Sequence, residues 1–253
     1  MNGLGVILVD LGIAAGAIGL LSLVRPLRFL GIRSRRRAAG LIGTGALLGL
    51  AGMSLPTPLQ RPEGESSLLD GYVPMYQFQE FHEIRVQASP EQVYRAILEV
   101  TAEEIWLFRT LTWIRSPHLV ERAESILNPG EKRPILEVAT TSGFMKLAEA
   151  PGREIVIGTL VIVPPEVRGY SGPFTPPMFA ALQRPGFAKA GMNFRVQDEG
   201  SGWCRVTTET RVYATDAGTR RRFAAYWRII YPGSAFIRVM WLKAIRERAQ
   251  GRL

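Results

Sequence analysis

Twenty-two consecutive residues, GLGVILVDLGIAAGAIGLLSLV from Gly3 to Val24, contain a single charged side chain, Asp10. As a helix this run rises about 33 Å, enough to cross the hydrocarbon core of a bilayer. The chain is therefore read first as a membrane protein. Met1-Asn2-Gly3 offers no basic residue of the kind that opens a cleaved secretory signal, so the helix is expected to be retained. A second run, AAGLIGTGALLGLAGMSL from Ala38 to Leu55, has no charge and reaches about 27 Å at the same rise. Residues 1–55 are thus expected to form a transmembrane hairpin with spans at about 3–24 and 38–55.

Both runs carry small residues four apart, Gly12 and Gly16 in the first, Gly45 and Gly49 in the second. Such spacing lets two helices approach closely where lipid supplies no hydrophobic drive. Between the runs lie Arg25, Arg28, Arg33, Arg35, Arg36 and Arg37, and a short arginine-rich loop stays on the cytoplasmic side. The expectation is a two-pass protein whose C-terminal domain is extracytoplasmic. These six arginines against the lone Asp10 supply +5 of the chain's net +9, so the basic balance follows from topology and gives no nucleic-acid footprint. Asp10 inside the first span is read as a protonated or snorkelling carboxylate.

Residues 56–78 follow, and PTPLQRPEGESSLLDGY has the composition of a solvated tether. A folded domain is expected over residues 79–253. It opens with a strand in FHEIRVQA, with Phe81, Ile84 and Val86 as its apolar positions. Ser89-Pro90-Glu91-Gln92 is a capping box that starts a helix, and Thr101 to Glu104 repeats the pattern ahead of a second apolar stripe through Ile105, Phe108 and Leu111. Five short β segments are then expected, at 133–140, 144–150, 154–163, 192–198 and 204–213. The last two form a hairpin about Asp198-Glu199-Gly200-Ser201-Gly202. The chain closes in a long amphipathic helix after Asp216, which Pro232-Gly233 should kink or divide.

This order, an α+β domain in which an antiparallel sheet meets a long C-terminal helix, is that of the helix-grip fold. The opening FHEIRVQASPEQVYRAI, the hairpin GMNFRVQDEGSGWCRVTTETRVYATD and the terminal TRRRFAAYWRIIYPGSAFIRVMWLKAIRERA resemble the START-like or SRPBCC superfamily, which includes polyketide cyclase/dehydrase and lipid-transfer relatives. The resemblance covers about the last two-thirds of the chain. It implies a hydrophobic ligand, lipid or lipid-like, in an apolar cavity between sheet and helix. The candidate lining comprises Phe108, Leu111, Phe144, Met145, Ile157, Met192, Phe194, Thr208, Phe223, Tyr226, Trp227 and Met240. Phe174 and Met178 join them from the proline-rich stretch 164–191, which also holds Tyr170, Phe179 and Phe187 and is read as a lid or a membrane-contacting loop.

No catalytic constellation is legible. One cysteine and two histidines leave too few soft ligands for a closed zinc site, and no carboxylate spacing points to another metal or a cofactor. His82 and His118 are read as structural or exposed, Cys204 as a small buried hydrophobe, and Glu209 with Arg211 as a surface pair. Three functions stay open: a membrane-anchored carrier or sensor of an apolar ligand, a cyclase/dehydrase-type enzyme in which Thr208, Thr210 or Tyr226 steer protons, and an envelope interaction module with a filled core.

Overall fold

The computed structural model describes residues 3–64, 66–115, 133–167 and 174–252. The chain divides into two compact units. One comprises residues 1–58 with 221–231, the other residues 59–220 with 232–253. His118, Tyr170 and the turn at Asn128-Pro129-Gly130 lie outside the described residues.

In the first unit, α1 (Gly3–Val24) and α2 (Arg35–Ser54) are joined by a turn in which Gly31 takes φ +76°. The helices meet along a heptad of small residues, Gly5, Gly12 and Gly19 against Gly52, Gly45 and Ala38. A Cβ added to Gly12 would stand 2.6 Å from the Gly45 carbonyl oxygen, and one on Gly45 2.6 Å from that of Gly12. The expected glycines are therefore at the contact, although a Cβ on Gly16 or Gly49 would meet nothing within 4 Å. The large apolar side chains point the other way: Leu4, Ile7, Leu11, Ile13, Leu20 and Leu21 of α1, and Leu47 and Leu50 of α2, are exposed. Small residues inside and large apolar ones outside invert the pattern of a helix pair in water.

Among the described residues one helix, α1, is long and apolar enough to cross a membrane. The second expected span does form as helix α2, but three arginines at its start and five glycines along it dilute its apolar character. The unit is completed by Arg221–Tyr231 of the last helix, α7 (Ala217–Ala249). Phe223, Ala224, Trp227 and Arg228 form a buried stripe there, and the Arg228 guanidinium donates to the carbonyls of Met53 (2.9 Å) and Leu55 (2.6 Å). Those carbonyls close α2 and have no partner within it.

The second unit is built on a five-stranded antiparallel sheet, ordered β1-β5-β4-β3-β2, of β1 (Phe78–Val86), β2 (Met145–Ala150), β3 (Glu154–Ile162), β4 (Ala188–Gly200) and β5 (Trp203–Ala214). Sheet and long C-terminal helix together make an α+β unit compatible with a helix grip. The inner face carries Val86, Ile155, Ile157, Met192, Phe194, Val196, Cys204 and Val206. It packs on α3 (Pro90–Glu99), α5 (Ile135–Thr141) and the second half of α7, where Trp241 meets Phe194 at 4.9 Å between ring centroids. Cys204 is fully buried, as expected, and burial pushes its thiol up. The capping box of α3 is present in both directions, Ser89 with Gln92.

Five local expectations are corrected. Residues 133–140 do not form a strand. They give α5, because Ile135, Leu136, Val138 and Ala139 bury one helical face and this outweighs the β preference of Ile and Val. The second capping pattern survives only as the bond from the Thr101 amide to Glu104. Leu107 turns left-handed at φ 57°, and the helix α4 (Phe108–Arg115) starts after it. On β1 the inward positions are Phe78, Glu80, His82, Ile84 and Val86, which leaves Phe81 on the opposite face and half exposed. Pro232 lies inside a continuous α7, so the helix is not divided there, although the two compact units part at this residue. The stretch 164–191 is less irregular than its prolines imply: it contains α6 (Pro176–Ala181) and the start of β4, and Phe179 is fully buried.

The tether is also corrected. Residues 59–77 belong to the second unit, with Leu69, Val73 and Tyr76 buried against Leu147, Val156 and Phe179 on the outer face of the sheet. A capping box, Ser67 with Asp70, sets the short 3-10 turn that delivers Leu69. This cover turns the expected surface pair into a buried one. Arg211 grips Glu209 with two bonds of 2.6 and 2.8 Å and reaches Asp70 at 2.6 Å, while Gln79 donates to the same Glu209. Lys189 is likewise buried, donating to the carbonyls of Phe179 and Ala180 that end α6, and burial brings its pKa down to about 8.

Asp216, after which the closing helix is expected to begin, caps α7, accepting from the amides of Gly218, Thr219 and Gly186 and from the Thr219 hydroxyl. The Thr219 hydroxyl first, then the amides of Thr219 and Gly186, hold its carboxyl well below the usual carboxylate range. Asp216→Ala should cost about 2–3 kcal/mol at pH 7, the sum of a lost N-cap and an orphaned Gly186 amide. Because the folded pKa is depressed, this contribution is complete above the unfolded value of about 3.9 and is lost as pH falls below it. Urea unfolding at pH 7 and pH 3 checks this: the gap between the two proteins should narrow at pH 3, and an unchanged gap would refute the charged cap.

Candidate functional site on the inner face of the sheet

Polar residues interrupt the apolar inner face beneath the middle of α7. Glu80 and His82, alternate residues of β1, lie opposite Thr210 and Thr208 of β5. The Ser234 hydroxyl of α7 donates to Glu80 Oε2 at 2.8 Å, and His82 Nε2 lies 3.1 Å from Glu80 Oε1. Glu80 is 2 % exposed. A carboxylate, an imidazole and a hydroxyl thus meet where the second half of α7 crosses the first strand. Thr208 is buried, and its hydroxyl is committed to the Asn193 carbonyl at 2.8 Å.

The helix above this cluster has an unusual profile. From Gly233 to Met240 every residue is half-buried, whereas Trp241, Leu242, Ala244 and Ile245 are buried and Lys243 is exposed. A helix pressed directly on a sheet shows the second pattern, with one face covered and one in water. Phe236, Ile237, Val239 and Met240 instead keep apolar surface open on more than one side, with Trp106 set 5.7 Å from the Phe236 ring. The indole N–H of Trp241 is buried without a hydrogen-bond partner among the described residues. At the far edge of the same face, Glu149 accepts from Lys146 and Tyr94, both at 2.8 Å. These bonds lower the Glu149 carboxyl, while burial and then the bond to Glu149 raise the Tyr94 hydroxyl.

The predicted lining residues fall into three groups. Phe108, Ile157, Met192 and Phe194 are buried in the inner core, with Phe144 and Met240 packed against it, Thr208 on the same face and Leu111 half-buried on α4. Met145 and Phe174 pack in the outer-face cluster, and Met178 is exposed on α6. Phe223, Tyr226 and Trp227 lie in the first unit, where Phe223 and Trp227 are buried, Tyr226 is exposed, and the Phe223 ring stacks at 5.8 Å on both others. Glu80 and Ser234 were not anticipated. The apolar Phe81 masked the phase of β1, and Ser234 is hidden beside Pro232-Gly233; the alternation Glu80, His82, Ile84, Val86 was the available signal. Among the described residues no group of three or more His, Cys, Asp or Glu is placed to hold a metal ion.

No family model and no curated protein matches the chain. Two solved structures are similar over about two-thirds of it. One, a structural-genomics protein from Mesorhizobium loti, has 13% identity and a TM-score of 0.32, covering 69% of this chain and 98% of that one. The other, a protein from Thermus thermophilus, has 12% identity and a TM-score of 0.28, covering 68% and 97%.

Proposed function

We propose that the protein is a membrane-anchored member of the START-like or SRPBCC group that holds an amphipathic, lipid-like ligand between β1 and the middle of α7. The observation that carries this reading is the run Gly233 to Met240, in which Phe236, Ile237, Val239 and Met240 are apolar yet only half-buried, lying over a polar cluster, with the Arg238 guanidinium set over the Trp241 ring. An acyl chain or ring system would cover Phe236, Ile237 and Met240, and its polar end would meet Glu80, His82 and Ser234. An acceptor on such a ligand would also satisfy the Trp241 indole, whose unpaired burial costs about 1–3 kcal/mol. The anchor is read as two-pass from the outward apolar side chains of both hairpin helices, and the arginine loop supports a C-terminal domain outside the cytoplasm.

Mass spectrometry of lipid extracted from the full-length, detergent-purified protein tests the reading. A defined amphipathic molecule near one per chain is expected, and Glu80→Gln should reduce its retention about tenfold through a lost charged hydrogen bond. An empty protein that also fails to take up a fluorescent fatty acid would overturn it. The Glu80 to His82 contact favours one alternative, an enzyme of cyclase/dehydrase type in which this pair moves a proton. In that case Glu80→Gln leaves the ligand bound and lowers turnover by roughly 10²–10⁴.

A further inference from the structure

The outer face of the sheet carries a second concavity, chemically unlike the inner one. Strand register sets three rows side by side: Phe81, Glu209 and Asn193; Glu83, Thr207 and Arg195; Arg85, Arg205 and Gln197. Residues 67–76 cover the sheet at the Gly191 end, where a Cβ would meet Leu69 at 2.7 Å and Val73 at 2.9 Å. Beyond that edge the face opens into a cleft of about 300 Å³ bounded by Pro62, Glu63 and Ser67 on one side and Phe81 on the other. This volume is at the lower end of small-ligand sites.

Three features define what fits. The lining is mostly polar, and its acids Glu63, Glu83 and Glu209 balance its bases Arg195, Arg205 and Arg211, which disfavours both a lipid tail and a strongly charged ligand. The side chains of Gln79, Gln197 and Thr207 offer donors and acceptors together, the match for hydroxyl groups that must do both. Phe81 is the only aromatic residue among those that line the cleft and is 50 % exposed, an apolar plate at the edge of a polar cleft. A ring with one C–H-rich face and a rim of hydroxyls satisfies all three. The floor is rigid: Asn193 is 3 % exposed, and its amide donates to Glu154 at 2.7 Å and accepts from the Glu209 amide at 2.9 Å.

We infer that this outer-face cleft is a binding site for a neutral saccharide, with Phe81 stacking on the sugar ring. The inference does not depend on the ligand of the inner face.

The test uses the full-length protein in a polyoxyethylene detergent, because sugar-headed detergents would compete. Saturation-transfer NMR is run with four probes: maltotetraose, mannotetraose, a tetramer of N-acetylglucosamine and, as a charged counterpart, a tetragalacturonate. Saturable binding of at least one neutral tetramer is expected, at micromolar to millimolar affinity. Phe81→Ala should weaken it tenfold or more and Phe81→Trp should preserve it, with Gln197→Ala weakening it several-fold as an independent variant away from the aromatic plate. Binding of none of the neutral tetramers, binding of the tetragalacturonate alone, or binding indifferent to both Phe81→Ala and Gln197→Ala would overturn the assignment.

Discussion

Arg211→Met is expected to destabilise the second unit by about 3–5 kcal/mol, because it leaves the Glu209 carboxylate buried with its bidentate partner gone. Glu209 is 8 % exposed and Arg211 3 %, so water cannot replace the lost bonds. Asp70, at the edge of the cover, is partly open to solvent and keeps its bond from the Ser67 amide, so it is not stranded by the loss of Arg211. The double replacement Glu209→Gln with Arg211→Met should therefore recover most of the loss, since an uncharged amide at this position needs no counter-charge and Gln79 remains beside it. Urea unfolding of the two single variants and the double variant measures the coupling. A cost below about 1 kcal/mol for Arg211→Met would place the pair in the energetic class of surface ion pairs, against the geometry described here.

The second large effect lies in the hairpin. Gly12→Leu and Gly45→Leu each drive a side chain into the backbone of the facing helix, at 2.6 Å from a carbonyl oxygen, and backbone cannot step aside as a flexible side chain does. Overpacking of this kind costs about 2–3 kcal/mol and should separate the helices. Gly16→Leu and Gly49→Leu point into open space and should leave the pair intact. Fluorescence energy transfer between labels at residues 3 and 54, in full-length protein held in micelles, separates the cases: transfer falls for the first two variants and holds for the others. Equal behaviour of all four would refute the register of the small-residue heptad.

These two sites also mark where sequence reasoning succeeds and where it stops. The glycine spacing identified the right helices and two contact residues, because close helix approach is a local demand on side-chain size. The period-2 alternation of β5 correctly put Glu209 and Arg211 opposite Thr208 and Val212. It was silent on what covers that face, and the cover is a segment whose Pro, Ser, Glu and Gly content read as a solvated linker. The expected lining residues divide between the two faces for a related reason. Met145 and Ile157 belong to neighbouring antiparallel strands, but the register pairs Met145 with Gly158 and Lys146 with Ile157, which puts Met145 and Ile157 on opposite faces.

What the sequence by itself determined was everything a few neighbouring residues decide through propensity, capping and periodicity. This includes the apolar N-terminal helix, the Ser89 cap, the hairpin of the last two strands and the long closing helix after Asp216. Tertiary structure alone decided which face of each strand is buried, that α5 is a helix, and that α7 continues through Pro232 while serving two compact units. It also brought Glu80 of β1 to Ser234 of α7, and Asp70 of the cover to Arg211 of β5. Those contacts join residues more than a hundred positions apart, and no local preference encodes them. They arise when burial of the surrounding apolar surface offsets the entropy of closing such long loops.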